Sequence, residues 1–210
     1  MDSSDVEIDT YFSNRAITVN PKERNYTGSA YENKEFVNGY VFKDGKILAS
    51  KIAMRYNAKR EEIELKNSLT TPNEHARLLK RDPKIYVKMG NKTFIFLKAN
   101  EQIQKPGYFV VLAEGENYSL YKKITKKFIE GRESINSITR DTPPAFEEKQ
   151  IFYLISNSDG SFIEFPKSRK GKLKTFTNHK KEVKEFVKSN KLNLNKDYAL
   201  TKLVKYYDTL

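Results

Sequence analysis

The sequence predicts a mainly β fold of the α+β class. Antiparallel β-hairpins form a sandwich, an open barrel or a curved sheet, followed by a C-terminal two-helix hairpin. Three observations carry this. Turn dipeptides sit between apolar runs at Asp44-Gly45, Gly90-Asn91 and Asp159-Gly160. Within those runs apolar and polar residues alternate, as on a half-buried strand. After residue 176 the apolar period lengthens to about 3.6, that of a helix. The expected organisation is an extended lead over 1–30, an antiparallel β domain over 31–176 and a helical hairpin over 177–210.

The lead holds few apolar residues, with one edge strand expected at Ala16-Ile17-Thr18-Val19. Phe36-Val37 and Tyr40-Val41-Phe42 then run into Asp44-Gly45, whose residues both tolerate the positive φ of a type I′ turn. Ile47, Ala49, Ile52 and Met54 return the chain, and Glu62-Ile63-Glu64-Leu65 reads as a half-buried strand. Pro72, with Glu74 to Arg77 behind it, starts one helical turn through Leu78-Leu79. Lys84–Met89 and Thr93–Leu97 form a second hairpin around Gly90-Asn91. Tyr108–Leu112 and Tyr118–Ile124 form a third around Gly115-Glu116-Asn117, which Phe128-Ile129 extends. Residues 131–149, with Pro143-Pro144, read as a long loop. Ile151–Ile155 and Ser161–Phe165 form a fourth hairpin at Asp159-Gly160.

In the C-terminal segment Thr177 or Asn178 is placed to cap a helix whose apolar face holds Val183, Phe186 and Val187. Leu192–Asn195 is a break. Asn195 is placed to cap a second helix, with Asp197 near its positive end and Ala199, Leu200, Leu203, Val204 and Tyr207 as its stripe. Neither helix is long enough to stand alone in water, so both must pack.

Composition sets the outer limits. Apolar residues make up 38% and aromatics 12% of the 210 residues, enough for a core and too many aromatics for general disorder. The net charge of +12 attracts anionic partners without naming one. With no cysteine, disulfides and zinc–thiolate sites are excluded. No run of 18 apolar residues exists, so no helix spans a bilayer. The start, "MDSSDVEIDTYF", lacks the apolar core of a signal peptide.

Reactive chemistry has little to stand on. His75 and His179 are the only histidines and belong to no metal-binding spacing. No nucleophile elbow, P-loop or dinucleotide fingerprint occurs. "SDGS" at 158–161 lacks the alternating carboxylates of a calcium loop and reads as a turn. The carboxylates of "REE" (60–62) and "EEK" (147–149) sit in charged surroundings typical of solvated surface. A carboxylate-dependent hydrolase is therefore the weakest alternative. The expectation is no enzyme, no cofactor and no metal.

The basic segments offer more. Lys167, Arg169, Lys170, Lys172, Lys174, Lys180, Lys181, Lys184, Lys188 and Lys191 are opposed only by Glu182 and Glu185. Lys122, Lys123, Lys126 and Lys127 are flanked by Tyr118, Tyr121 and Phe128. Basic residues among aromatics can grip single-stranded nucleic acid, but no RNA-binding or zinc-finger signature accompanies them. "SRKGK", 168–172, reads as an exposed hairpin or loop tip.

The stretch from Phe36 to Lys66 resembles a group of secreted Bacteroidota envelope proteins of unknown function. The shared pattern falls on Gly39, Val41, Asp44, Gly45, Met54, Arg55, Tyr56, Asn57, Glu62 and Glu64. "GSAYENKEF" before it is similar to the group's lead, with Ala30 in place of Pro, and the closing segment resembles its helical hairpin. The resemblance covers about half the chain and brings no catalytic residues. It implies a non-enzymatic binding or accessory protein of the cell envelope. Such a protein is periplasmic or outer-membrane-associated if a signal peptide was removed before Met1, and otherwise cytoplasmic. The implied partner is an envelope or outer-membrane protein or an anionic surface component; the alternative is a basic nucleic-acid-binding module. The expected binding surface is a sheet edge with Arg55, Tyr56, Lys122, Lys123, Lys126, Lys127, Arg169, Lys170, Lys172 and Lys174. Tyr56 is expected to pack on the sheet and Asn57 to admit a tight turn.

Overall fold

The computed structural model describes residues 11–13, 26–132 and 141–210. These fall into two compact units, within 1–96 and 124–149, and within 97–123 and 150–210. The edge strand expected at Ala16–Val19 lies outside the described residues, as does most of the lead.

The first unit is built on β1 (Phe12–Ser13), β2 (Val37–Lys43), β3 (Lys46–Asn57), β4 (Glu62–Lys66), β5 (Arg77–Leu79), β6 (Ile85–Met89) and β7 (Lys92–Leu97). Their order is β1-β5-β4-β3-β2-β6-β7 and the pairings are antiparallel. Asp44 and Gly45 take φ of 48° and 79°, so the two-residue turn between β2 and β3 is made by positive φ at both positions. On β3 the alternation slips between Ala49 and Ile52 because Lys51, at φ 54°, bulges out of register opposite Gly39 and Tyr40. The bulge turns Ile52, Met54 and Tyr56 inward, where they join Val41, Ile63, Leu65, Val87 and Phe94 in the core. Each such side chain stabilises by roughly 1.5–3 kcal/mol.

Two expectations for this unit are corrected. Strand β4 is buried along its whole length rather than on alternate faces: Ile63 and Leu65 join the core, while Glu64 is held by Arg55 and Tyr31 and Lys66 donates to Leu69 O, Thr71 O and Asn73 Oδ1. The helical turn after Pro72 shrinks to a single 3-10 turn, Asn73–His75, and Leu78-Leu79 join β5 beside β4 and β1. Extended backbone at Ala76 ends the turn.

The second unit holds β8 (Gly107–Ala113) and β11 (Phe162–Glu164), with parts of the long strands β9 (Tyr118–Ile129) and β10 (Ala145–Ser156). The order is β8-β9-β10-β11, and the sheet is not closed into a barrel. The last part of the loop expected over 131–149 is strand instead, since β10 begins at Ala145, while 133–140 lie outside the described residues.

Three helices end the chain, where the periodicity predicts two: α1 (Arg169–Thr175), α2 (Lys180–Ser189) and α3 (Asp197–Tyr207). The "SRKGK" stretch is not a loop tip. Ser168 caps α1 by accepting from Gly171 N–H at 3.0 Å, and a Cβ on Gly171 would press on Pro166 at 2.6 Å. The caps of α2 and α3 also differ from expectation. His179, at φ 49°, precedes α2, and Lys196 precedes α3; neither caps through its side chain. Asn195 is otherwise engaged, its Oδ1 accepting from Lys172 Nζ at 2.7 Å. The helices close over one apolar cluster. Val183 and Val187 of α2, Leu200, Leu203, Val204 and Tyr207 of α3, and Phe176 meet Leu120, Phe152 and Leu154 from the strands.

Candidate anion-binding cleft

Helix α1 carries a lysine-rich sequence, and helical geometry divides its cations. At about 100° per residue, Lys170 and Lys174 fall on one side and Lys172 on the other. Lys172 points inward and is 5% exposed. Its Nζ donates to Leu194 O at 2.9 Å and to Asn195 Oδ1 at 2.7 Å, and lies over the Phe152 ring. Burial lowers its pKa from the ordinary lysine value. It ties α1 to the α2–α3 connection.

Arg169, Lys170 and Lys174 remain exposed and line a cleft of about 770 Å³ together with Lys180 and Lys184 of α2. Leu173, half-buried against the helical core, is the lining's apolar member. The same i, i+4 spacing that aligns Lys170 with Lys174 aligns Lys180 with Lys184. None of the lining side chains is acidic, and no acidic residue occurs between Phe165 and Lys181. Glu182 and Glu185 point away from the lining of α2, about 160° and 140° from Lys180 and about 160° and 100° from Lys184. The cleft is thus a concave concentration of positive charge with an apolar floor. Its field draws anions and raises their local concentration.

The other residues expected on a binding surface divide sharply. Tyr56 has no exposed surface; its ring packs at 5.1 Å from Phe94 and its hydroxyl donates to Ile124 O at 3.2 Å. Arg55 lies between the rings of Tyr31 and Phe36, 3.9 and 4.3 Å from their centroids, and donates from Nε to Glu64 Oε2 at 2.7 Å. Asn57 does admit a turn: its Oδ1 accepts from Arg60 N–H at 3.1 Å.

Lys122 and Lys123 are also buried. Lys122 pairs with Asp197 at the start of α3, and Lys123 donates to the carbonyls of Lys105 and Pro106 over the Phe109 ring. Lys126 donates to Tyr31 O at 2.6 Å and stands 3.4 Å from Glu148. These amines replace their hydration with protein oxygens and act as internal fasteners. Lys127 alone of this cluster is exposed. Of the ten expected residues, Arg169, Lys170 and Lys174 are the ones the structure brings together. Lys180 and Lys184, members of the same basic segment in the sequence, complete the cleft; the i, i+4 spacing of the two within α2 was the signal that they share a face.

His75 and His179 are both exposed. Among the described residues no three histidine, aspartate or glutamate side chains converge as metal ligands would. No helix of the described residues is long and apolar enough to cross a membrane. Comparison with models of known protein families, with curated proteins and with solved structures finds no match to the chain.

Proposed function

We propose that this chain is a non-enzymatic binding protein of the bacterial cell envelope that holds an anionic partner in the α1–α2 cleft. One observation carries the reading: five exposed cations share a cleft with no carboxylate. Like charges so placed repel in the free protein and are relieved when an anion enters. The sheet edge is the weaker candidate, because among the described residues the first and last strands of the pairing order, β1 and β11, are two and three residues long. Short edges resist pairing with a further strand. The envelope setting is supported by the pattern at Gly39, Val41, Asp44, Gly45 and Arg55-Tyr56-Asn57, and it is the resemblance alone that supports it.

The test is binding of the full chain to anionic and neutral phosphatidylcholine vesicles across a salt series. Retention on the anionic vesicles, falling steeply with salt and lost in a Lys174→Glu, Lys184→Glu variant, is the expected result. Equal retention of that variant would remove the cleft from the reading. A pull-down from envelope fractions tests the setting, and recovery of nucleic acid alone would replace it with the nucleic-acid alternative.

A further inference from the structure

We infer that the α1–α2 cleft takes a ligand bearing two phosphomonoester groups on one small carbon skeleton. This deepens the anion-binding reading above and rests on it.

Charge density leads to this class. The cleft presents Arg169, Lys170, Lys174, Lys180 and Lys184, a formal +5, within about 770 Å³. A carboxylate or a sulfate ester carries one charge, so about three or four of them would have to share a space of small-molecule size to bring what two phosphomonoesters bring. A phosphomonoester carries about −1.5 to −2 at neutral pH, so two bring roughly −3 to −4. The volume lies within the roughly 300–1,000 Å³ usual for small-molecule sites.

Spacing points the same way. Lys170 and Lys174 stand one helical turn apart, about 6 Å along α1, and Lys180 and Lys184 do the same on α2. Each pair can bracket the oxygens of one phosphate, and the two pairs line one cleft. Lysine suits this as a point charge with three donors, and Arg169 adds a planar fork for two oxygens. Leu173 offers the skeleton between the phosphates an apolar contact.

The nearest competitor is a phosphodiester chain. It carries one charge per phosphate and must leave the cleft at both ends, so its affinity would grow with length. A bisphosphate is satisfied inside.

Calorimetric titration of the full chain at fixed salt tests the inference. The probes are a hexose bisphosphate, inorganic phosphate, a dicarboxylate of similar length and oligonucleotides of two lengths. The hexose bisphosphate is expected to bind at least about tenfold tighter than the dicarboxylate or inorganic phosphate. Lys174→Gln and Lys184→Gln should each weaken it about tenfold, and Lys205→Gln on α3 should leave it unchanged. Vesicles of phosphatidylcholine with a bisphosphorylated inositol lipid form the second arm, against phosphatidylserine vesicles of equal charge. Selective retention on the former, with no response to the soluble hexose, places the two phosphates on a lipid headgroup and supports the inference.

It is overturned if bisphosphates show no preference over inorganic phosphate and the dicarboxylate in solution, nor over phosphatidylserine on vesicles, or if oligonucleotide affinity rises with length while bisphosphates do not bind. The first result, with phosphatidylserine binding lost in the lysine variants, would leave the general anion-binding reading standing. Absence of binding to every anion would remove both.

Discussion

Arg55 and Glu64 face each other across β3 and β4, with Arg55 Nε donating to Glu64 Oε2 at 2.7 Å and the glutamate side chain wholly out of solvent. Tyr31 completes the group: its hydroxyl donates to Glu64 Oε1 at 3.1 Å and accepts from an Arg55 Nη at 3.0 Å. A buried carboxylate is tolerable only while such partners hold it. Arg55→Met should therefore cost about 3–5 kcal/mol, because it strands the charge. Arg55→Met with Glu64→Leu should recover much of that loss. Urea unfolding of the three proteins checks this, and an Arg55→Met variant as stable as the parent would refute the structural role given to Arg55.

Tyr31 brings a pH dependence to the same group. Burial, and then the Glu64 charge, raise its pKa to about 12 from the ordinary 10. The folded state thus keeps the phenol proton where the unfolded chain has begun to release it. This contribution to stability is fully present below about pH 10 and is lost as pH rises through about 12. Tyr31→Phe should flatten the alkaline fall in the unfolding midpoint relative to the parent. An unchanged alkaline slope would count against it.

Gly39 illustrates what the sequence makes legible and what it hides. The turn residues Asp44-Gly45 act through their own φ, so hairpin and register are readable locally. The need for glycine at 39 is not local. It lies on β2, where an added Cβ would run into the Lys88 carbonyl of β6 and the Met54 side chain of β3. Gly39→Ala should cost about 3 kcal/mol by overpacking, read from the same urea curves.

The basic residues show the same division more strongly. Lysine is almost never buried unless partnered, so Lys122, Lys123 and Lys172 read as surface. Their partners (Asp197, two carbonyls ahead of β8, and the α2–α3 connection) come from distant sequence. Helix α1 was illegible for a related reason. A seven-residue, lysine-rich segment containing glycine has little intrinsic helicity, and it forms because Ser168 caps it and Lys172 is held from the far side. The two C-terminal helices were legible because their apolar stripes are carried by their own residues.

Asp208, just after α3, secures the β8–β9 turn. Its carboxylate accepts from the backbone N–H groups of Glu116, Asn117 and Tyr118 at 3.0, 2.8 and 2.7 Å. Burial alone would raise its pKa, but these three donors outweigh it and hold the carboxyl below the ordinary range. A depressed carboxylate pKa gives stability that is present above the unfolded value, near 4, and is lost as pH falls through the lower folded value. Asp208→Asn should therefore lower stability at neutral pH by about 1 kcal/mol, and the gap from the parent should narrow below about pH 4. Thermal midpoints at several acidic pH values measure this; a gap that widens on acidification contradicts the assignment.

Two lysines on α1 should respond in opposite senses. Lys172→Met keeps the aliphatic stem but removes the donor, leaving the Leu194 carbonyl and Asn195 amide without it. That change should cost about 1–3 kcal/mol. Lys174, two residues on, faces the cleft and belongs to a like-charged i, i+4 pair with Lys170. Such a pair destabilises an exposed helix by roughly 0.2–0.5 kcal/mol, so Lys174→Gln should leave the protein equally stable or slightly more stable at low salt. Added salt should erase this small gain, because the exposed charges are screened, and leave the Lys172→Met loss intact. Stability lost in both variants would mean that Lys174 is another internal fastener. Opposite signs would show that Lys174 stands at some cost to the free protein, as the proposed anion cleft predicts.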